Sequence, residues 1–278
     1  MAGGIEIKTP EQVRAMRRAG LVVANTLAAV RDAATAGVTT AELDGLARDE
    51  LARAGATSSF LHYGGGWGVP PFPAVTCISV NDEIVHGIPG SRVLADGDLV
   101  SVDFGAIVDG WHGDSAISFS IGEARADDVR LSDVTRTSMW RGIAAARIGG
   151  RVGDISAAVE GYVRSRRERY GIVREFTGHG IGSQMHQAPD VPNHGRRGRG
   201  PLLVEGVCLA VEPMLTLGGE GTATQDDGWT IVTRDRSRAC HWEHTMALTK
   251  HGLWVLTAQD GGEAELTALG ATFGPLAD

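Results

Sequence analysis

Apolar residues recur at helical spacing near the start of the chain. Over residues 13–30 they return every three or four positions, and Thr9 followed by Pro10 is typical of an N-cap and a first helical turn. This pattern predicts a long amphipathic helix that ends before Gly37. The same spacing, bounded by a threonine and a glycine, predicts a second helix over about residues 40–55.

Later segments alternate between strand-like and helical patterns. A β-rich run, LVSVDFGAIVDGWHGDSAISF, occupies residues 99–119, and Asp109-Gly110 divides it in two. Asp-Gly between two such runs is a strong signal of a β-hairpin. Further helices are predicted at about 127–148 and 154–170, and further strands at 74–80, 207–211, 242–248 and 253–256, with a Gly-rich, acidic tail after them.

Two carboxylates interrupt the apolar hairpin. If Asp109 and Gly110 form the turn, Asp103 faces Ala116, and Asp114 lies diagonally across from Asp103 on the same side of the sheet. Two close, unneutralised carboxylates inside a core are costly. The hairpin therefore predicts a cation between its two aspartates.

The order of elements repeats loosely. A long helix, a Gly-bounded loop, a shorter helix and several strands appear before residue 122 and again after residue 127. This repeat predicts one α+β domain over residues 1–278, with two pseudosymmetric halves at roughly 1–122 and 127–260.

Composition narrows the class of protein. The chain has 278 residues, 42% apolar and 22% charged, and a net charge of -8, which argues against a nucleic-acid substrate. Arginine clusters at 164–169 and 196–199 are interpreted as solvated surface.

Three scattered cysteines give no disulfide framework, and MAGGIEIKTPEQ lacks the features of a signal peptide. No apolar run approaches a membrane span, so we expect a cytoplasmic protein.

Other polar residues outside the hairpin are also candidates for chemistry. His179 stands between glycines in the predicted loop FTGHGIGSQMH, Glu212 closes the strand LAV, and Glu243 lies in the apolar run CHWEHTMAL. Taken singly, each has an ordinary structural explanation. With Asp103 and Asp114 they make four carboxylates and one imidazole.

The charge of this set indicates how many ions it holds. Two divalent ions neutralise four carboxylates, whereas one leaves a surplus of negative charge. Oxygen and imidazole ligands suit Mn, Fe, Co or Zn. Paired ions bridged by carboxylates generate a nucleophile from water. The residues therefore predict a two-metal hydrolase, with its substrate left open.

These residues resemble type I methionine aminopeptidase of the bacterial short form, over most of the chain. The resemblance implies the pita-bread fold, in which two pseudosymmetric α+β halves hold a metal pair between curved β-sheets. The matching segments lie at 81–89, 102–115, 177–186, 211–214, 227–237 and 243–245.

The resemblance also implies a ligand for each position of the metal centre. Asp103 is expected to chelate one ion, while Asp114 and Glu243 bridge both ions. His179 and Glu212 are expected to complete the shell of the other ion. The physiological metal is left open among Co, Mn, Fe and Zn.

Catalytic roles follow from the same resemblance. Glu212 is expected to act as general base and proton shuttle. His186 is expected to contact the carbonyl oxygen of the scissile bond, and His86 its amide nitrogen. The implied activity is removal of the N-terminal methionine from nascent proteins, including at the ribosome, when the second residue is small. A monomer is expected.

The methionine pocket is predicted from neighbouring residues. By the family pattern Cys77 and Trp229 line it, and Phe72 and Met185 are further candidates. The segment HYGGGWGVPPFP at 62–73 is longer and richer in Gly and Pro than the family's compact turn, so Phe72 lies where this chain departs from the family pattern.

Two alternatives stay open: a non-catalytic peptide-binding protein on the same fold, and an aminopeptidase of related specificity. Other branches of the fold fit less well. His179 and Glu212 are too close in sequence for the helical insertion of type II enzymes. Asp103 comes too early for the large N-terminal domain of prolidases.

Overall fold

The structure is a computed structural model that describes residues 4–66 and 68–277. Residues 1–3 of the N-terminal segment, Trp67 of the Gly-rich segment and Asp278 lie outside the described part. Helices are α1 (Pro10–Ala33), α2 (Thr40–Ala54), α3 (Ala126–Ala145), α4 (Val152–Arg164) and α5 (Glu263–Ala268). Strands are β1 (Thr57–Ser58), β2 (Thr76–Val80), β3 (Glu83–Val85), β4 (Leu99–Val108), β5 (Trp111–Ser120), β6 (Gly171–Ile172), β7 (Gly178–Gly180), β8 (Gln187–Val191), β9 (Cys208–Val211), β10 (Met214–Thr216), β11 (Thr222–Thr224), β12 (Ile231–Thr233), β13 (Ala239–His241), β14 (Glu243–Thr249) and β15 (Gly252–Val255).

Both N-terminal helices begin at reciprocal hydrogen bonds of the capping-box type. The Thr9 hydroxyl accepts from the backbone N–H of Gln12, whose side chain accepts from the Thr9 N–H at 2.8 Å. Thr39 and Glu42 repeat the arrangement at α2, which ends at Gly55 with φ 63°. These caps satisfy N–H groups that a helix start leaves free, so the predicted starts and ends of both helices are confirmed.

The later helices are shorter than predicted. α3 ends at Ala145 rather than 148, because the backbone of Ala146 is extended (φ -72°, ψ 135°) and a turn at residues 148–149 comes soon after. α4 ends at Arg164 rather than 170, since its buried stripe stops at Val163 and the next residues are exposed. α5 was not predicted. Only its Leu266 is buried, and one apolar residue gives no periodic signal.

The hairpin forms in the predicted register. Asp103 pairs with Ala116, and Gly105 pairs with Asp114. Asp109 has φ 51° and Gly110 has φ 80°, as a type I′ turn requires at both central positions. The two aspartates therefore project from one face of the sheet.

A curved antiparallel sheet of nine strands is built from both early and late parts of the sequence. Its central path runs β1-β4-β5-β14-β9-β7-β8, with β2 and β15 alongside. The pairing of β5 with β14 joins the hairpin to strands from the later part of the chain. α1 and α2 pack their apolar sides with β2 and β4, whereas α3 and α4 pack with β9 and β14. The prediction of an α+β fold is confirmed. Within the described ranges no helix has the length and apolar character needed to cross a bilayer.

Close helix-to-sheet packing depends on Gly20. A Cβ added there would lie 2.2 Å from the carbonyl oxygen of Leu256, which is backbone and cannot swing away. We expect Gly20→Ala to lower the free energy of unfolding by about 2–3 kcal/mol. Gly45→Ala is the matched control, because Gly45 is also helical and has nothing within 4 Å of an added Cβ. That control should raise stability by about 0.5–1 kcal/mol, as measured by urea unfolding. Equal effects at both glycines would contradict the packing argument.

Candidate metal centre and active-site cavity

Five neighbouring strands each deliver one of the five predicted ligands. Asp103 lies on β4, Asp114 on β5, Glu243 on β14 and His179 on β7, while Glu212 directly follows β9. The register aligns them, since Ala116 pairs with Asp103 on one side and with Glu243 on the other. The sheet therefore gathers residues that are far apart in sequence onto one concave face.

The carboxylates of this group are crowded and buried. Asp103 Oδ1, Asp114 Oδ1 and Glu243 Oε1 are buried without a hydrogen-bond partner in the described structure. Burial raises the pKa of Asp114 to about 7. Burial and repulsion by neighbouring carboxylates raise the pKa values of Asp103, Glu212 and Glu243 well above their usual range. Such a group requires either protons or cations.

The donor atoms fit a divalent cation. Ligand atoms of Asp114, His179 and Glu243 lie within 4.8 Å of one another, and so do those of Glu212, His241 and Glu243. His179 Nδ1 lies 3.0 Å from the Gly180 carbonyl oxygen, so Nδ1 carries the proton and Nε2 keeps its lone pair. Burial lowers the pKa of His179 to about 3, which keeps the imidazole neutral. Carboxylate oxygens and neutral imidazole are suitable ligands for Mn, Fe, Co or Zn.

A cavity of about 340 Å³ opens onto this cluster. Phe72, which follows the Gly-rich part of its segment, packs edge-to-face on Trp229 with ring centroids 5.3 Å apart. Cys77 and Met185 are buried beside Phe72 in the same apolar cluster. The wall contains all eleven residues predicted for the site: Phe72, Cys77, His86, Asp103, Asp114, His179, Met185, His186, Glu212, Trp229 and Glu243.

The two further predicted histidines lie in the same cavity. The His186 ring is 4.1 Å from the His179 ring, centroid to centroid, and its Nδ1 is 2.7 Å from the Tyr63 hydroxyl. The His86 ring meets Phe176 edge-on at 5.4 Å. Burial lowers the pKa of both His86 and His186 to about 4, so both rings are neutral at pH 7.

Sequence reasoning missed several residues of the wall. His241 stands two residues before Glu243 in an apolar run, and the alternation of that run gives no reason to single it out. Tyr63 lies in the Gly-rich segment, where length and composition obscured its role. The others are Phe60, Val85, Glu175, Phe176, Thr177 and Met214.

The Gly-rich segment folds back on itself. The His62 N–H donates to the Phe72 carbonyl at 2.8 Å, and the Phe72 N–H donates to the Tyr63 carbonyl at 2.9 Å. Trp229 Nε1 donates to the Pro70 carbonyl at 2.7 Å. Residues 64–66 and 68–71 therefore lie outside the cavity wall, while Tyr63 and Phe72 at the two ends of the segment belong to it.

Comparison with known proteins agrees with this geometry. The model of metallopeptidase family M24 matches residues 14–250. The chain belongs to this family. M24 relatives include "Methionine aminopeptidase 1" of Mycobacterium tuberculosis, 50% identical over 88% of this chain and 92% of that protein, and "Methionine aminopeptidase" of Clostridium acetobutylicum, 47% identical over 91% and 98%.

Solved structures of other proteins have the same fold. The methionine aminopeptidase of Thermotoga maritima is 36% identical, covers 92% of this chain and all of its own, and superposes with a TM-score of 0.87. The prolidase of Pyrococcus furiosus superposes with a TM-score of 0.72 at 19% identity, over 91% of this chain and 65% of its own, which supports the fold alone. The resemblance and the pita-bread fold expected from the sequence are confirmed.

Proposed function

We propose that this chain removes the N-terminal methionine from peptides and nascent proteins whose second residue is small, using two divalent metal ions. The observation that carries the proposal is the delivery of Asp103, Asp114, Glu243, Glu212 and His179 to one cavity by five neighbouring strands. The names of relatives that match nearly their whole length support the substrate.

Each ligand has a part in holding the ions. Asp103 would hold one ion, Asp114 and Glu243 would lie between the two, and His179 and Glu212 would hold the other. The orphaned oxygens of the cluster support this assignment, because they need a positive partner. The ions supply Lewis acidity and an activated water when bound.

The remaining polar residues act on the substrate. Glu212 Oε1 lies 3.5 Å from His179 Nε2, so its carboxylate lies beside another proposed ligand and would receive the proton of the attacking water. His186 would donate to the carbonyl oxygen of the scissile bond as negative charge develops there, and His86 would contact its amide nitrogen.

The apolar part of the cavity wall would select the side chain of the first residue of the substrate. Phe72, Cys77, Met185 and Trp229 surround a space that suits an unbranched, polarisable thioether. Burial raises the pKa of the Cys77 thiol well above its usual range, so it stays an uncharged wall residue. The cavity therefore favours methionine over a charged first residue.

A peptide panel tests the proposal. With Co, Mn, Fe or Zn supplied in turn, peptides that begin Met-Ala, Met-Gly or Met-Ser should release free methionine, and those that begin Met-Leu or Met-Arg should not. Methionine is measured by chromatography. Equal rates over the panel would contradict the expected specificity. Binding without release would favour a non-catalytic peptide-binding protein instead.

Tyr63 offers a finer test of the His186 role. Its hydroxyl is hydrogen-bonded to His186 Nδ1 at 2.7 Å and so fixes the ring. We expect Tyr63→Phe to lower kcat about three- to tenfold, with a smaller change in KM, since one neutral hydrogen bond is lost. The same loss of kcat in a His186→Ala background would show that Tyr63 acts by another route.

We further propose that the enzyme acts as a monomer in the cytoplasm. All three cysteines are free and buried, which suits a reducing compartment. Size-exclusion chromatography with light scattering tests the monomer, and cell fractionation tests the compartment.

A further inference from the structure

One imidazole at the cluster has no place in the ligand set above. His241 ends β13 and is 2% exposed. Its Nε2 lies 3.6 Å from Glu212 Oε2 and 4.0 Å from Glu243 Oε2. Within the described structure, this nitrogen is buried and has no hydrogen-bond partner.

Two serine hydroxyls fix the backbone of His241. Ser118 Oγ donates to the His241 carbonyl oxygen at 2.6 Å, and the backbone nitrogen of His241 lies 3.3 Å from the hydroxyls of both Ser101 and Ser118. β13 belongs to a separate three-stranded sheet, β13-β10-β6. His241 therefore reaches the cluster from outside the nine-stranded sheet that carries the other ligands.

The spacing fits coordination better than hydrogen bonding. A neutral N–H···O bond has a donor–acceptor distance of about 2.7–3.2 Å. Two ligands of one tetrahedral ion, each about 2.0–2.2 Å from it, are roughly 3.4 Å apart. The separations of 3.6 and 4.0 Å from His241 Nε2 to the two carboxylates are near the second value.

We propose that His241 is a sixth protein ligand, which coordinates one of the two ions together with Glu212 and Glu243. The inference rests on the proposed dinuclear function and adds to it. Ligand atoms of His241, Glu212 and Glu243 form one compact group, and those of Asp114, His179 and Glu243 form another. Glu212 lies beside both rings, with its Oε1 3.5 Å from His179 Nε2 and its Oε2 3.6 Å from His241 Nε2, so both imidazoles would serve the ion that Glu212 holds.

A second imidazole changes which metals the centre prefers. Imidazole suits Zn and Fe, whereas an oxygen-only shell suits Mn and Mg. We therefore expect the native chain to bind Zn over Mn more selectively than His241→Gln does. Gln keeps a polar side chain but offers an amide in place of the ring nitrogen.

Nitrogen NMR of the native protein gives the direct test. In ¹⁵N-histidine-labelled chain loaded with two equivalents of Zn, two imidazole nitrogens should move to the metal-bound shift, and His241→Gln should remove one of these signals. A single bound imidazole, unchanged in His241→Gln, would overturn the proposal and leave His241 as a neighbour that orients Glu212. This measurement needs no active enzyme.

Calorimetric titration with Zn and Mn supplies the second readout. Removing His241 should weaken one of the two binding steps for Zn about 10–100-fold or more, and that for Mn less. His244→Gln is the matched control. His244 lies on β14 next to Glu243, but its ring packs on Trp140 and hydrogen-bonds Thr257, so both binding steps should stay unchanged.

The two proposals fail differently. If the native chain bound no ion pair, or if Asp103→Asn left both binding steps intact, the dinuclear assignment itself would be wrong. If native binding followed that assignment and His241→Gln changed neither the NMR signals nor the affinities, only the sixth ligand would be wrong. Circular dichroism of the metal-free variants confirms that each one folds.

Discussion

Replacing Glu243 by Gln should abolish methionine release while leaving the chain folded. Glu243 belongs to both groups of ligand atoms, so its loss affects both ions at once. Gln is the same size but removes one negative charge and one anionic oxygen. We expect kcat/KM to fall at least about 10³-fold, since the activated water depends on both ions. Metal content by mass spectrometry should fall below two ions per chain.

A control carboxylate lines the same cavity. Glu175 accepts a hydrogen bond from Thr222 and lies outside both ligand groups. Glu175→Gln should keep the native metal content. Near-native turnover of Glu243→Gln at saturating metal would refute the assignment of the metal centre.

Removing the metal should make stability depend on pH in an unusual direction. The buried carboxylates have raised pKa values, about 7 at Asp114 and well above the usual range at Asp103, Glu212 and Glu243. Above pH 6.5 the folded, metal-free chain therefore holds protons that the unfolded chain has released. Its free energy of unfolding should fall as pH rises, by about 1.4 kcal/mol per pH unit for each proton held.

The window for this measurement is pH 6.5 to 8.5. Below pH 6.5 the buried histidines make the free energy of unfolding rise with pH, which is opposite to the effect of the carboxylates. The pKa values of His179 and His241 are lowered to about 3, so these rings stay neutral in the folded chain while the unfolded chain gains protons. Their contribution to stability is complete above pH 6.5 and is lost as pH falls.

Urea unfolding at three pH values, with EDTA or with Mn, measures the effect. Metal should remove the decline, because cations replace the protons. Metal-free Asp114→Asn should exceed the metal-free native chain in stability at pH 8.5, since it removes one buried charge. A native chain whose stability is flat from pH 6.5 to 8.5 without metal would contradict the carboxylate cluster.

Local signals explain why the hairpin and the first two helices could be predicted. Caps at Thr9 and Thr39 and the turn at Asp109-Gly110 are decided by residues close in sequence. Strands β10 to β13 have only three residues each and carry no periodic pattern. Their existence depends on pairing with distant partners, which sequence spacing does not report.

Some residues of the candidate site could likewise be predicted from local sequence, whereas others could not. Four of the five predicted ligands interrupt or close apolar strands, and such interruptions are visible in sequence. The Gly-rich sequence around His179 predicts a loop, but its backbone forms β7 by pairing with Asp190 on β8 and so belongs to the sheet. His241 could be assigned to the cluster only once β13 had been placed beside it. Proximity between residues of two different sheets is a property of the tertiary structure, and the sequence around His241 does not indicate it.

The row formed by Asp103, Ala116 and Glu243 across three strands sets where the chain tolerates changes of length. One residue added to or removed from β5 would turn its later side chains to the opposite face. Asp114 would then no longer project from the same face as Glu243 while β5 kept its pairing with β14. The loop within residues 62–73 is less constrained, because backbone hydrogen bonds from His62 to Phe72 and from Phe72 to Tyr63 close it at its base. We therefore expect related proteins to differ in length in that loop and to keep the same length in the hairpin.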